Sequence, residues 1–257
     1  MEFSRDKDQY VLSSATIATS GAAKMHWAKY LNPKSRNEVS VGIKIVDINK
    51  IENIYSFTKQ IHRAETCDHE NMVKVHCSFK VNDQLWIVMP PLSGFSSKST
   101  IRSSFPNRLP ENTVSFILKE ILKALDYMHG RNKLHLDISA DCIFLDEKYF
   151  TVKLAYRSLT SDKATDIWMF GLLALELFYG RLPASDFEEF QFLLGGIEDK
   201  FGILSKKKEC RRGINASGFL GRFNVFSPLG EVMASCLMER DPKKRPTTNQ
   251  PMEFNLL

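Results

Sequence analysis

The chain has 257 residues, 43% of them hydrophobic and 25% charged, with a formal net charge of +5. That length suits one large domain or two lobes sharing a cleft, and those proportions are those of an ordinary globular protein. No stretch approaches the roughly 20 apolar residues needed to span a bilayer, and the opening Met1-Glu2-Phe3-Ser4-Arg5-Asp6-Lys7-Asp8 is too charged for a signal peptide. The expectation is therefore a cytoplasmic or nuclear protein without membrane insertion. Cys67, Cys77, Cys142, Cys210 and Cys236 are widely spaced and form no Cys-x-x-Cys pair, so they point to neither a zinc site nor a disulfide framework and are expected to be reduced. The densest basic cluster, Lys206-Lys207-Lys208 followed by Arg211-Arg212, has no interleaved aromatics. It reads as a solvated loop, and no nucleic-acid partner is expected.

In chain order, residues 10–47 read as short strands, with Val39, Val41 and Ile43 alternating with smaller residues. Residues 51–66 read as a helix carrying Ile54, Phe57 and Ile61 at helical spacing. Met72 to Phe79 and Leu85 to Met89 are further strand candidates, and Asn82-Asp83 suits the turn of a hairpin between them. Pro90-Pro91-Leu92-Ser93-Gly94 breaks the pattern, because proline cannot continue a ladder. A helix from about Asn112 to His129 places Val114, Ile117, Leu118, Ile121, Leu122, Leu125 and Met128 on one face. Another apolar helix covers Asp166 to Tyr179. A strand-rich half followed by a helical half is α+β architecture, divided as residues 1–89, a joint at 90–94, and residues 95–257.

The stretch from Leu134 to Leu145 resembles the catalytic loop of a protein kinase, His-Arg-Asp-x-Lys-x-x-Asn. His135 and Asp137 are kept, while Leu136, Ser139 and Cys142 stand where the family has Arg, Lys and Asn. Other stretches carry the same resemblance in the same order: Val41-Gly42-Ile43-Lys44, Asp68-His69-Glu70-Asn71, His76-Cys77-Ser78-Phe79, Leu85 to Pro90, Leu122 to His129, Asp166 to Gly171 and Asp241 to Thr247. The chain looks like a protein kinase domain, most similar to the Ste20/germinal-centre group. The resemblance implies a bilobal kinase-like α+β fold, with a small β-rich N-lobe bearing helix αC and a larger helical C-lobe.

It also allows a part-by-part inventory, since phosphoryl transfer depends on positioning and charge neutralisation. The family's glycine-rich loop corresponds to Ile17 through Met25, with Ala18 and Ser20 at the first two glycine positions. A plain β-turn is the favoured reading there. Lys44 matches the phosphate-binding lysine, but the αC glutamate position carries Gln60, which supplies no counter-charge. Tyr156 and Cys142 occupy the two metal-ligand positions, where Mg²⁺ needs hard oxygen donors. Ser139 lacks the charge of the loop lysine. Asp141, one position before Cys142, is the remaining carboxylate that could reach a metal. Met89 and Leu92 line the vestigial nucleotide pocket, Phe144 could fill the adenine space, and Gly42 reads as relaxed strand packing.

Asp137, the remnant of the base, reads as an acceptor for loop amides. Asp166 is expected to cap its helix and bond to the loop backbone. Only nine residues, Arg157 to Thr165, separate Tyr156 from Asp166, so the activation segment is largely deleted. Arg245, without its usual glutamate, is expected to face solvent or find another acid. The implied function is that of a pseudokinase: a scaffold, decoy or allosteric partner of an active kinase or other signalling protein. No metal is expected, and ATP only without Mg²⁺. The alternative is a weak, atypical ATP-binding kinase using Lys44 and Asp137.

Overall fold

The computed structural model describes residues 2–20, 22–33, 37–91, 109–135, 138–146, 151–155, 163–180, 229, 235–237 and 242–248, with the backbone alone at 15–20, 146, 163–165 and 242. The chain divides into two compact units. One comprises Met1–Gly94 with Asp146–Tyr156, and the other Phe95–Leu145 with Arg157–Leu257. The basic cluster at Lys206 to Arg212 lies outside the described residues.

The first unit is built on an antiparallel sheet of β1 (Tyr10–Ser20), β2 (Ala23–Leu31), β3 (Glu38–Asp47), β4 (Cys77–Val81) and β5 (Gln84–Met89), in the order β1-β2-β3-β5-β4. The short strands expected over residues 10–47 are three strands of 11, 9 and 10 residues. Alternation along β3 sends Val41 and Ile43 into the core with no exposure, each burial worth roughly 1.5–3 kcal/mol. Asn82 turns the β4–β5 hairpin at φ 50°, a left-handed conformation that asparagine tolerates.

The sheet curls until its two edges meet. Tyr10 on β1 stacks on Phe79 of β4 with ring centroids 5.7 Å apart, and its hydroxyl lies 3.8 Å from Cys77 Sγ. Tyr30, Ile43, Trp86 and Val88 pack inside this curl, with Phe3 against them. Burial raises the pKa of both the Tyr10 hydroxyl and the Cys77 thiol.

Helix α1 (Ile54–Glu65) starts at Asn53, whose Oδ1 accepts the Ser56 amide at 2.9 Å. Of the apolar positions predicted for it, Ile61 is buried and Phe57 half-buried, whereas Ile54 is 37% exposed. The strand candidate Met72–Phe79 joins the main sheet only from His76, whose amide donates to Val88 O at 2.8 Å, and its strand β4 starts at Cys77. Its first residues take a different partner, β7 (Thr151–Leu154), which follows β6 (Ile143–Asp146). The Val73 amide donates to Leu154 O at 2.9 Å, the Leu154 amide to Asn71 O at 2.8 Å, and Asn71 Nδ2 to Val152 O at 3.1 Å. These bonds bring Asp146–Tyr156 into the first unit, where the sequence division had left it with the helical half.

His76 stacks on the ring of Phe3 at 4.1 Å. Burial first, and then the charge of Lys74, lowers its pKa from 6.5 to about 4. The folded state therefore refuses a proton that the unfolded chain accepts. This contribution to stability is complete above pH 6.5 and is lost as the pH falls towards 4. Denaturation midpoints should show wild type losing roughly 1–3 kcal/mol more than His76→Gln between pH 7.5 and 4. Parallel pH curves for the two proteins would contradict this.

In the second unit, α2 (Glu111–His129) buries all seven residues of its predicted face. Helix α3 (Lys163–Tyr179) is apolar around most of its circumference, with Ile167, Phe170, Leu173, Ala174 and Leu177 at 1% exposure or less. Gly171 admits a close neighbour, since a β-carbon there would lie 2.7 Å from Leu237 Cγ and 3.0 Å from Cys236 Cβ. Burial pushes the Cys236 thiol up to about 12, a setting in which it is inert. Thr248 donates to Asp126 Oδ1 at 2.7 Å. Arg245, expected to face solvent or an acid, places its guanidinium 6.0 Å from the centroid of Trp168, a cation–π contact.

Candidate functional site

The candidate residues fall in both units, and each set is described by itself. In the first unit, Lys44 lies at the centre of β3, opposite Met25 of β2 and Ile87 of β5. Its neighbours Ile43 and Ile45 pack with the core inside the curl. The two-residue period of a strand therefore sends Lys44 out of the opposite face, where it is half-buried. Gly42 shares that face. It is not loosely packed, as the sequence suggested: a β-carbon there would meet Pro90 O at 3.3 Å, Met89 Cγ at 3.4 Å and Met25 Cε at 4.0 Å. Met89 is buried, so its side chain fills space that a larger residue at 42 would take.

The strand that carries Ala18 and Ser20 is irregular. Tyr10–Leu12 pair with Tyr30–Ala28, but Ala18 pairs with Met25, so six steps along β1 match three along β2. The extra residues form bulges, and pairing then runs on to Ser20–Ala23. Ala18 and Ser20 thus belong to a strand ladder. Beside the bulge lies a cavity of about 360 Å³ lined by Val11, Leu12, Ser13, Trp27, Ala28, Lys29 and Ser40. Neither Lys44 nor Met89 lines it. Gln60 is half-buried on α1. The nearby acid Glu65 is engaged elsewhere: its Oε1 accepts from Ser78 Oγ at 2.6 Å, and Oε2 lies 3.7 Å from Arg5.

In the second unit, the loop after α2 is held at two points by buried carboxylates. Asp166 Oδ2 accepts the His135 amide at 2.9 Å and lies 2.8 Å from His129 Nε2. Glu176 Oε2 accepts the Ala140 amide at 2.9 Å. Asp166 and His135 have no exposure, and His129 and Glu176 have 8% each. The sequence reading foresaw the bond from Asp166 to the loop but also made it a helix cap. Because α3 begins at Lys163, Asp166 sits inside the first turn, and one of its carboxylate oxygens reaches both histidines. Glu176 and His129 were missed. An acid inside Leu172-Leu173-Ala174-Leu175-Glu176-Leu177-Phe178 is the signal that could have revealed one of them, because a charge in an apolar run is kept when a buried donor needs it.

Between these anchors, Ala140–Cys142 makes a 3₁₀ turn. Cys142 is 1% exposed, its amide donates to Ser139 O at 3.0 Å, and its Sγ lies 3.6 Å from Ser139 Oγ. Asp141 faces the exterior and Phe144 is half-buried. A buried thiol facing a hydroxyl does not suit Mg²⁺, which takes charged or carbonyl oxygens and keeps several waters. The donor set described here does not fit the metal. Leu92, Leu136, Asp137 and Tyr156 lie outside the described residues, as do residues 157–162, in the stretch read from the sequence as an activation segment.

The sequence profile of the protein kinase domain matches residues 30–156. The chain belongs to the protein kinase superfamily. Serine/threonine-protein kinase fray2 of Dictyostelium discoideum is 30% identical over 277 aligned positions, covering 96% of this chain and 25% of that protein. Germinal center kinase 3 of Caenorhabditis elegans is 24% identical, covering 91% of this chain and 45% of that protein. The chain therefore spans between a quarter and somewhat under half of these kinase relatives. A crystal structure of Rad53 residues 1–466 with AMP-PNP matches with a TM-score of 0.70 and 18% identity, over 96% of this chain and 65% of that one. It shows the α+β kinase fold, with a strand-rich and a helical unit. In the order of elements, α1 corresponds to the helix of the strand-rich unit and β3 to the strand that carries Lys44.

Proposed function

We propose that this chain is a pseudokinase that works by binding other proteins, as a scaffold, decoy or allosteric partner in kinase signalling, in the cytoplasm or nucleus. The observation that carries the reading is Cys142, a buried thiol beside Ser139 at the position where the family holds a metal. Around it the loop keeps its structural ties to Asp166 and Glu176. Scaffold is retained where chemistry is replaced, the pattern expected if the fold serves as a surface.

Lys44 supports one further reading. Half-buried at the centre of β3, it is the residue a weak ATP-using kinase would retain, with Asp137. Thermal denaturation with ATP, ADP or AMP separates the two. A ligand at 100 times its Kd adds about 2.7 kcal/mol, roughly 5–10 °C for a chain of this size. The pseudokinase reading predicts no rise that depends on Mg²⁺ or Mn²⁺, and a metal-dependent rise of that size would favour the weak kinase. A rise with ATP that is indifferent to metal would mean nucleotide serves only as a structural ligand.

A further inference from the structure

We propose that Phe3, Ser4 and Arg5 form a strap that, with Glu65 and Ser78, holds helix α1 against the sheet, in place of a tie through position 60. The three consecutive residues reach three parts of the first unit. The Phe3 ring lies 5.0 Å from Tyr30 and stacks on His76 at 4.1 Å with planes 15° apart. The Ser4 amide donates to Tyr30 Oη at 3.2 Å, and its carbonyl accepts from Tyr10 Oη at 2.6 Å and Cys77 Sγ at 3.6 Å. Arg5 brings its guanidinium 3.7 Å from Glu65 Oε2.

Glu65 is the last residue of α1 and its side chain is 12% exposed. Its other oxygen accepts from Ser78 Oγ on β4 at 2.6 Å, a charge-assisted bond of the stronger kind. His62 adds a ring nitrogen 3.6 Å from Oε2. The Arg5 pair is weaker, because Arg5 is 66% exposed. The strap's hold thus comes mainly from Phe3 and Ser4, and the helix's hold from Glu65 and Ser78.

Helix α1 needs such a tie. It has 12 residues, of which only Ile61 and Ala64 are buried, both in its C-terminal half. Tyr55 at its start is 74% exposed. A helix of this length is marginal without tertiary support. Position 60 offers a neutral amide, whereas Glu65 offers a carboxylate with a short bond across to the sheet. Lifting the strap, by a binding partner or a chemical change at Ser4, would then loosen α1 whether or not nucleotide binds.

Hydrogen exchange on the full chain tests this, with the β3 amides as the reference for unfolding of the unit. Glu65→Ala should raise exchange of the α1 amides at least fivefold above that in Gln60→Ala, and Phe3→Ala at least twofold, while β3 stays as in wild type. If either variant also loosens β3, Ser78→Ala is judged by the same criterion. A smaller difference from Gln60→Ala overturns the proposal.

Discussion

Asp166→Ala should lower the stability of the chain by about 3–5 kcal/mol and its melting temperature by roughly 10 °C. One oxygen of this fully buried carboxylate serves the His135 amide at 2.9 Å and the His129 ring at 2.8 Å. Removing it takes an acceptor from two buried polar groups, each loss costing about 1–3 kcal/mol, besides leaving a void. Asp166→Asn keeps an oxygen that can still accept from His135, so it should cost less, about 1–3 kcal/mol. Urea denaturation with an unchanged slope separates these values from a change in the unfolded state. Equal effects below 1 kcal/mol for both variants would contradict the role assigned to Asp166. The size of the effect matters for the proposed function, because this carboxylate holds the loop that carries Ser139 and Cys142.

Much of the helical unit was legible in the sequence, because a 3.6-residue period is written in nearby residues. The face of α2 from Val114 to Met128 is buried as read. The strand-rich unit was legible in order but not in detail. Nothing in the composition of Leu12 to Ala18 marks the bulges, which appear only when β1 is counted against β2. The capture of residues 151–154 by Asn71 and Val73 joins positions about 80 apart in the chain, beyond any local pattern. At the site, the replacement of Asn by Cys142 could be read directly, but its burial could not. The tight surroundings of Gly42 were equally hidden, since they depend on where Met89, Met25 and the Pro90 carbonyl come to rest. Asp166 was half legible: its long-range bond follows from the family, whereas its place within the first turn depends on where α3 starts.

The central claim is that the loop around Cys142 is scaffold without phosphoryl-transfer chemistry, and transfer from labelled ATP to a serine/threonine peptide mixture tests it most directly. Kinases turn over at about 1–100 s⁻¹. Loss of one electrostatic contributor typically costs on the order of 10²–10³-fold, and on the proposed reading Ser139 and Cys142 stand at two such positions. The losses need not multiply, because such groups act as a unit, but either alone takes the rate far below the ordinary range. No transfer with Mg²⁺ or Mn²⁺ above that of a Lys44→Ala, Asp137→Ala double variant is expected. Metal-dependent transfer approaching 1 s⁻¹, abolished in that double variant, would contradict it.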